Sequence, residues 1–471
     1  MQTKDHGLRR ELKLRDLVLM QVVLIFALNW IGYAAKQGST QFALWLIAIL
    51  LFYLPLAAVV MKLSRAMPVE GGGYQWIKQG LSPFAGYMAA WCLTVFAIFY
   101  SASNGSALAN GFSWVAGANG AWMASSKPFA LTLTLAFCLI AYFVNVRGLH
   151  LAKWLSGTSS VLWFVISLLL FYLLVKAWII AAPLVRGSVS FSWPSLSVLT
   201  MIVLAKMSIG ALGGFDTSAV FAEECRKPEN DVARSVLIAA PLIALMYVLG
   251  TAALLAYNPP SNIDLAAPVQ QVIHSGFGAG GRAEVLTWIA VGTFSIALIS
   301  SQVVFLGMVA RLPMVAGWDG LLPDWWSELH PTYRTPSKAI GAVTISVLCM
   351  GVLSLWGAGN QEAVQVTAAV GVASLCLMYL LLFGVVLFGF RSRPDRPSLG
   401  LRLGALAAFS VALISFVFQI VPLGEVASPA LFAVKVIGAI CATSGVGAYL
   451  YWRGARRVRA LAEVTEPRPF Y

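Results

Sequence analysis

Charge is scarce in this chain: only 11% of its 471 residues are Asp, Glu, Lys or Arg, while 59% are hydrophobic. A soluble domain carries about 25% charged residues, and a single soluble core does not normally grow past about 250–300 residues. A chain this long, with a mean hydropathy of +0.81, needs lipid as its solvent. Histidine is also rare: His6, His150, His274 and His330 are all there are, and they fall in tails and loops. The six cysteines (Cys92, Cys138, Cys225, Cys349, Cys376 and Cys441) avoid the outer loops, so no disulfide is implied. Without a CxxC or a Cys/His pair, nothing implies a bound metal or another cofactor. A membrane-embedded enzyme would need convergent His/Asp pairs or metal ligands at membrane depth. A channel would need a polar stripe or a ring of charges. The sequence has neither.

Long apolar runs are what it has instead. They do not alternate, so they read as helices rather than barrel strands. Twelve spans are expected, at 16–36, 41–63, 84–111, 128–147, 153–178, 195–222, 234–257, 284–312, 338–357, 364–390, 403–422 and 429–452. The expected fold is thus an all-α polytopic membrane protein. The net charge of +13 is explained by topology. With the N-terminus inside, 25 Lys and Arg fall on the inner side and only Lys127, Lys176, Arg186 and Arg282 outside. That is the positive-inside pattern, and it leaves nucleic-acid binding without support. The expected setting is a bacterial inner or plasma membrane with a retained first helix and both termini cytoplasmic. The tails are 1–15 and 453–471, the latter a basic extension near anionic headgroups. The loop 258–283 reads as an irregular outer cap, and 64–83 and 313–337 as short interfacial helices.

Two spans are interrupted where a helix should be smooth. Span 1 reads Phe26-Ala27-Leu28-Asn29-Trp30-Ile31-Gly32, and span 6 reads Gly210-Ala211-Leu212-Gly213-Gly214-Phe215-Asp216. Each glycine costs a helix about 1 kcal/mol relative to alanine. Paired breaks point to two inverted repeats with a site between them; small residues that merely let helices pack closely are the other reading. A broken helix offers N–H groups to a carboxylate and C=O groups to an ammonium. Ala27, Asn29, Trp30, Gly32, Gly210, Ala211, Gly213 and Gly214 are therefore the expected substrate contacts. Asp216 is an acid at membrane depth, suited to proton coupling or to capping the exposed N–H groups. Lys206 lies one turn before Gly210 and is the second expected proton-coupling residue; it either replaces a bound cation, attracts an anionic group, or reaches the outer vestibule. Lys36 reads as snorkelling and Lys435 as structural. Trp30, Phe215 and Phe305 suit gates by bulk and by stacking on a cation, with plain packing the other reading.

Three stretches resemble the amino acid–polyamine–organocation transporter superfamily, over residues 15 to about 390. They are Pro68-Val69-Glu70-Gly71-Gly72-Gly73-Tyr74 after span 2, Gly214-Phe215-Asp216 with Glu223-Glu224-Cys225-Arg226-Lys227-Pro228 in span 6, and Arg311 with Asp319-Gly320-Leu321-Leu322-Pro323 and Thr335-Pro336 after span 8. The resemblance implies inverted repeats at 16–178 and 195–390, with the spans at 403–452 outside the core. It implies a substrate, an amino acid or related amine, bound at the breaks of spans 1 and 6 and moved by alternating access. Protons or exchange would drive the movement. Asp216 falls where relatives carry a proton-sensing Glu, and Phe305 where some antiporters place a gating aromatic. The family's Gly-Ser-Gly of span 1 is missing, and the spacing between Gly38 and Pro55 is similar to glutamate/GABA antiporters. The span 6 gating aromatic of arginine/agmatine antiporters would fall on Gly210.

Overall fold

The computed structural model describes residues 12–26, 29–67, 71–180, 190–195, 197–225, 228–265, 268–278, 281–354, 360–389, 396–422, 426 and 428–465. Among the described residues every regular element is helical, and the only bridge is between the backbones of Leu12 and Cys225. Nine of these helices are long and apolar enough to cross a bilayer: Gly38–Ala66, Pro83–Ser113, Lys127–Arg147, Lys153–Ile180, Asn230–Tyr257, Glu284–Leu312, Glu362–Gly389, Leu399–Phe418 and Pro429–Ala460. They fall on expected spans 2–5, 7, 8 and 10–12. Span 9 is a shorter apolar helix, Ser337–Ser354.

Spans 1 and 6 come apart. The first helix, Leu14–Ile25, ends where Phe26 turns extended (φ −76°, ψ 106°), and a second helix begins at Asn29 and runs to Ala35. Ala27 and Leu28, between them, lie outside the described residues. In span 6 the helix Val198–Leu212 stops at Gly213, which is extended (φ −77°, ψ 150°). Gly214 follows at φ +131°, a conformation open to glycine and strained for any L side chain. The chain then continues as a tighter 3-10 winding, Phe215–Glu224, kinked at Phe221. The two breaks touch: a Cβ added to Gly214 would stand 2.9 Å from Cγ1 of Ile25.

Burial sorts the spans into layers. In the most apolar stretch of Glu362–Gly389, 78% of residues are buried, against 22% for Leu399–Phe418 and 17% for Pro429–Ala460. The last two helices therefore wrap the outside and turn Leu403, Leu413, Val434 and Tyr449 toward lipid. Some local features differ from the reading of the sequence. Span 2 contains a wider π turn at Ile49–Tyr53. The outer cap contains a helix, Pro268–Phe277, which buries Val269, Val272 and Ile273. The inner loop after span 2 forms the expected short helix, Gly73–Gly80. After span 8 the helix instead runs on to Trp318, leaving one 3-10 turn at Asp324–Trp326. The last helix runs on to Thr465, through the first half of the expected tail. There Gly454 lies against the Leu321 carbonyl, leaving no room for a Cβ.

The inner ends are tied together by charge. Arg311 of span 8 donates to both carboxylate oxygens of Glu224, at 2.8 and 3.1 Å, and to the Gly307 carbonyl at 2.7 Å. Both side chains are buried, and the guanidinium lies 4.9 Å from the Phe221 ring centroid. The backbone N–H of Leu12 donates to the Glu224 carbonyl at 3.0 Å, drawing the N-terminal segment under spans 6 and 8. On the inner surface Lys78 pairs with Asp319 at 2.6 Å, and the Tyr74 hydroxyl donates to the same carboxylate. Burial and the neighbouring Asp319 push the Tyr74 hydroxyl well above the usual tyrosine range, so it remains a donor at physiological pH. Lys435, expected to be structural, bonds Glu362 at 2.6 Å and joins span 12 to the start of span 10.

Removing one partner of a buried pair strands the other charge. Arg311→Leu is expected to destabilise the protein by about 3–5 kcal/mol, read as a fall in Tm in detergent. Arg311→Met with Glu224→Gln should recover part of that loss. A parental Tm for Arg311→Leu would show that the pair does not hold the inner ends together.

Candidate functional site

Beside the two breaks lies a cavity of about 80 Å³. Its walls come from five spans: Leu24, Ile25 and Trp30 of span 1, Phe96 and Tyr100 of span 3, Ile209, Gly210, Gly213, Gly214 and Thr217 of span 6, Phe305 of span 8, and Thr367, Ala368, Gly371, Val372 and Leu375 of span 10. Among the described residues no lining side chain carries a charge.

Of the residues expected from sequence, Trp30, Gly210, Gly213, Gly214 and Phe305 meet at this cavity. The indole of Trp30 lies directly over Gly210; a Cβ there would stand 2.0 Å from its Cζ2. Phe305 packs with Tyr100 at 5.0 Å and edge-on with Phe96 at 5.6 Å between ring centroids. The other expected residues lie elsewhere. Ala211 is fully buried outside the lining. Gly32 packs under the outer helix, with Pro268 carbon atoms 3.2 and 3.3 Å from where its Cβ would be. Phe215 is buried against Tyr53, 4.8 Å between centroids, behind the wall. Lys206 is buried and donates its ammonium to the Val421 carbonyl, tying span 6 to the end of span 11. Ala27 lies outside the described residues, and of Asn29 only the backbone is described.

Asp216 sits one residue behind the lining and is buried. The Tyr379 hydroxyl donates to its Oδ1 at 3.0 Å. Among the described residues no basic group pairs with Asp216. The π turn of span 2 serves this arrangement. The extra residue it winds in aims Phe52 edge-on at Tyr379, 5.4 Å between centroids, and Tyr53 at Phe215. The break in span 1 is held in the same manner, from other spans. Ser301 donates to the Val23 carbonyl at 2.9 Å, and Tyr247 to the Ile25 carbonyl at 2.7 Å. In span 6, Thr217 returns its own N–H to the Gly214 carbonyl at 3.1 Å and its hydroxyl to the same oxygen.

Sequence reasoning missed Phe96, Tyr100 and the whole span 10 contribution, Tyr379 included. An aromatic or a threonine inside an apolar helix gives no local signal of which face it serves. The run of small residues from Thr367 to Ser374, interrupted only by Val370 and Val372, was the available hint. Among the described residues no group of three or more His, Cys, Asp or Glu gathers as a metal site would.

The model of the amino acid permease family matches residues 17–442. The chain is 25% identical over 288 residues to the aspartate/glutamate permease AcaP of Lactococcus lactis subsp. cremoris, covering 58% of this chain and 59% of that protein. It is 20% identical over 374 residues to the probable agmatine/putrescine antiporter AguD of Lactococcus lactis subsp. lactis, covering 78% and 73%. The solved structure of MhsT in complex with L-phenylalanine superposes with a TM-score of 0.62 at 14% identity, over 88% of this chain and all of that one. That is a likeness of fold. Broken spans with a cavity between them, on a match that runs nearly end to end, make this chain a member of the amino acid permease family of membrane transporters, not an enzyme.

Proposed function

We propose that the protein is a secondary active transporter that moves an amino acid or related amine by alternating access, driven by protons or by exchange. One observation carries the reading: two helix breaks in mutual contact border a cavity that lacks charged side chains. Peptide dipoles at helix ends can hold an ammonium and a carboxylate without a permanent counter-charge. The bound solute can therefore leave without stranding a buried ion. A polyamine or other organic amine is the alternative cargo, favoured by the likeness to AguD. An open channel is disfavoured, because the buried Arg311–Glu224 pair ties the inner ends of spans 6 and 8 together.

In this reading the nine long helices, the shorter span 9 and the broken spans 1 and 6 complete twelve crossings. The segments 16–178 and 195–390 form the two inverted repeats, with both termini in the cytoplasm of a bacterial cell. Trp30, Gly210, Gly213, Gly214 and Phe305 contact the substrate, with Phe96, Tyr100, Thr217 and Thr367 beside them. Asp216 takes up and releases the coupling proton. A buried carboxyl is costly as an ion and cheap when neutral, so its proton state and the water content of the break are linked. Tyr379 links that state to span 10. Lys206 acts at a distance from the cavity, through span 11.

Uptake of radiolabelled amino acids and amines into proteoliposomes holding the full chain tests the proposal. Saturable uptake that rises with an inward proton gradient, or after pre-loading with unlabelled solute, is expected. Uptake no greater than in empty liposomes for every solute would refute it. Asp216→Asn should keep binding and flatten the pH profile of uptake; an unchanged profile would remove Asp216 from coupling. Gly214→Val forces a branched side chain into φ +131° against Ile25. It is expected to weaken binding at least fivefold, by about 1–3 kcal/mol of backbone strain, and parental affinity would exclude the break as the binding site.

A further inference from the structure

Resting on the transport reading above, we infer that the cavity selects a zwitterionic amino acid with a bulky uncharged side chain, aromatic or branched aliphatic, over diamines and over amino acids with a second charge. The first ground is electrostatic. None of the described lining residues is Asp, Glu, Lys, Arg or His. By sequence, Ala27, Leu28 and Asn29 are uncharged as well. Three ionic groups of the neighbouring spans are engaged elsewhere. Asp216 stands behind the wall with Tyr379 on its carboxylate, Lys206 reaches Val421, and Arg311 grips Glu224 toward the inner surface. The two helix breaks complement one ammonium and one carboxylate. A further charge on the substrate side chain would be buried without a partner, which a low-dielectric site penalises heavily.

The second ground is shape. Phe96, Tyr100 and Phe305 form a cluster with centroids 5.0–5.9 Å apart, and the Trp30 indole adds a fourth ring from span 1. Aliphatic surface from Ile209, Val372 and Leu375 completes the walls. Rings at this spacing favour offset or edge-on contact with another ring, and they close well on a branched aliphatic group. Span 10 packs on span 3 at Gly371, where a Cβ would make ordinary contact, at 3.5 Å, with both the Phe96 ring and its carbonyl oxygen. The hydroxyl hydrogens of Thr217 and Thr367 are spent on the Gly214 and Ala363 carbonyls. These threonines therefore present the cavity with acceptors and methyl groups rather than donors suited to a side-chain carboxylate.

Direct uptake of radiolabelled L-phenylalanine, L-leucine, L-alanine, L-glutamate, L-lysine and putrescine by the full chain in proteoliposomes decides the matter. L-Phenylalanine or L-leucine should show a kcat/KM at least tenfold above L-glutamate, L-lysine and putrescine, with L-alanine between. Preferred uptake of L-glutamate, L-lysine or putrescine overturns the selectivity and leaves the transport reading standing. Failure of all six to enter, with no thermal stabilisation by any of them, overturns both. Phe305→Ala should narrow the ratio of L-phenylalanine to L-alanine uptake at least fivefold, while Phe305→Leu keeps L-leucine uptake. An unchanged ratio in Phe305→Ala removes the ring cluster from substrate selection.

Discussion

Bare peptide groups cannot be left in hydrocarbon, and everything near the centre of this protein follows from two places where the chain breaks that rule. The helix of span 1 stops at Ile25 and that of span 6 at Leu212. The freed groups are not all left for a ligand. Ser301 and Tyr247 reach in from spans 8 and 7 to take the carbonyls of Val23 and Ile25. Each is a hydroxyl on another helix. The breaks are therefore held open by tertiary contacts, and a shift of the surrounding helices changes what they offer. That is how a rigid helical bundle can carry a binding site that depends on its conformation.

Charge is distributed to the same end. The centre holds one acid with a tyrosine on it, and the cavity wall holds no charge. The inner end carries a bidentate, buried Arg311–Glu224 pair. A buried pair is strong only while both partners stay together, and a half-opened one is worse than either a closed or a hydrated one. Such a latch favours two states over intermediates. The N-terminal segment adds to it through Leu12, and Asp16 is placed between Arg15 and Lys153 at the same level. Any separation of spans 6 and 8 at this level must break the Arg311–Glu224 contact.

Much of the architecture was legible in the sequence because hydrophobic length and the placement of Lys and Arg are direct consequences of the bilayer. Span 8 was expected at 284–312 and lies inside the helix Gly281–Trp318. The break at Gly213-Gly214 was legible because two adjacent glycines at membrane depth are expensive unless the helix stops there. The π turn at Ile49–Tyr53 was not, since ILLFY contains nothing that disfavours an ordinary helix; the wider turn is set by what Phe52 and Tyr53 pack against. Tyr379 was missed for a related reason. Its role depends on Asp216, which is 163 residues away in the chain, and pairing at that distance leaves no local pattern. Lys206 was read by depth alone, and depth cannot say which side of a helix a side chain leaves from.

The pairing of Gly210 with Trp30 shows how a function can move along the fold. In arginine/agmatine antiporters, which this sequence resembles, a gating aromatic stands where Gly210 stands here. The volume it would occupy is filled instead by the indole of Trp30, so close that even a methyl group on residue 210 would overlap the ring. The ring has changed spans, from 6 to 1, while its position beside the break is kept. A ring carried by the 29–35 segment moves with the outer half of span 1, whose Gly32 rests on the outer helix through Pro268. The bulk beside the cavity and Asp216 therefore sit on separate pieces of chain: the indole goes with the 29–35 segment, and Asp216 with the 3-10 winding that carries Glu224 to Arg311.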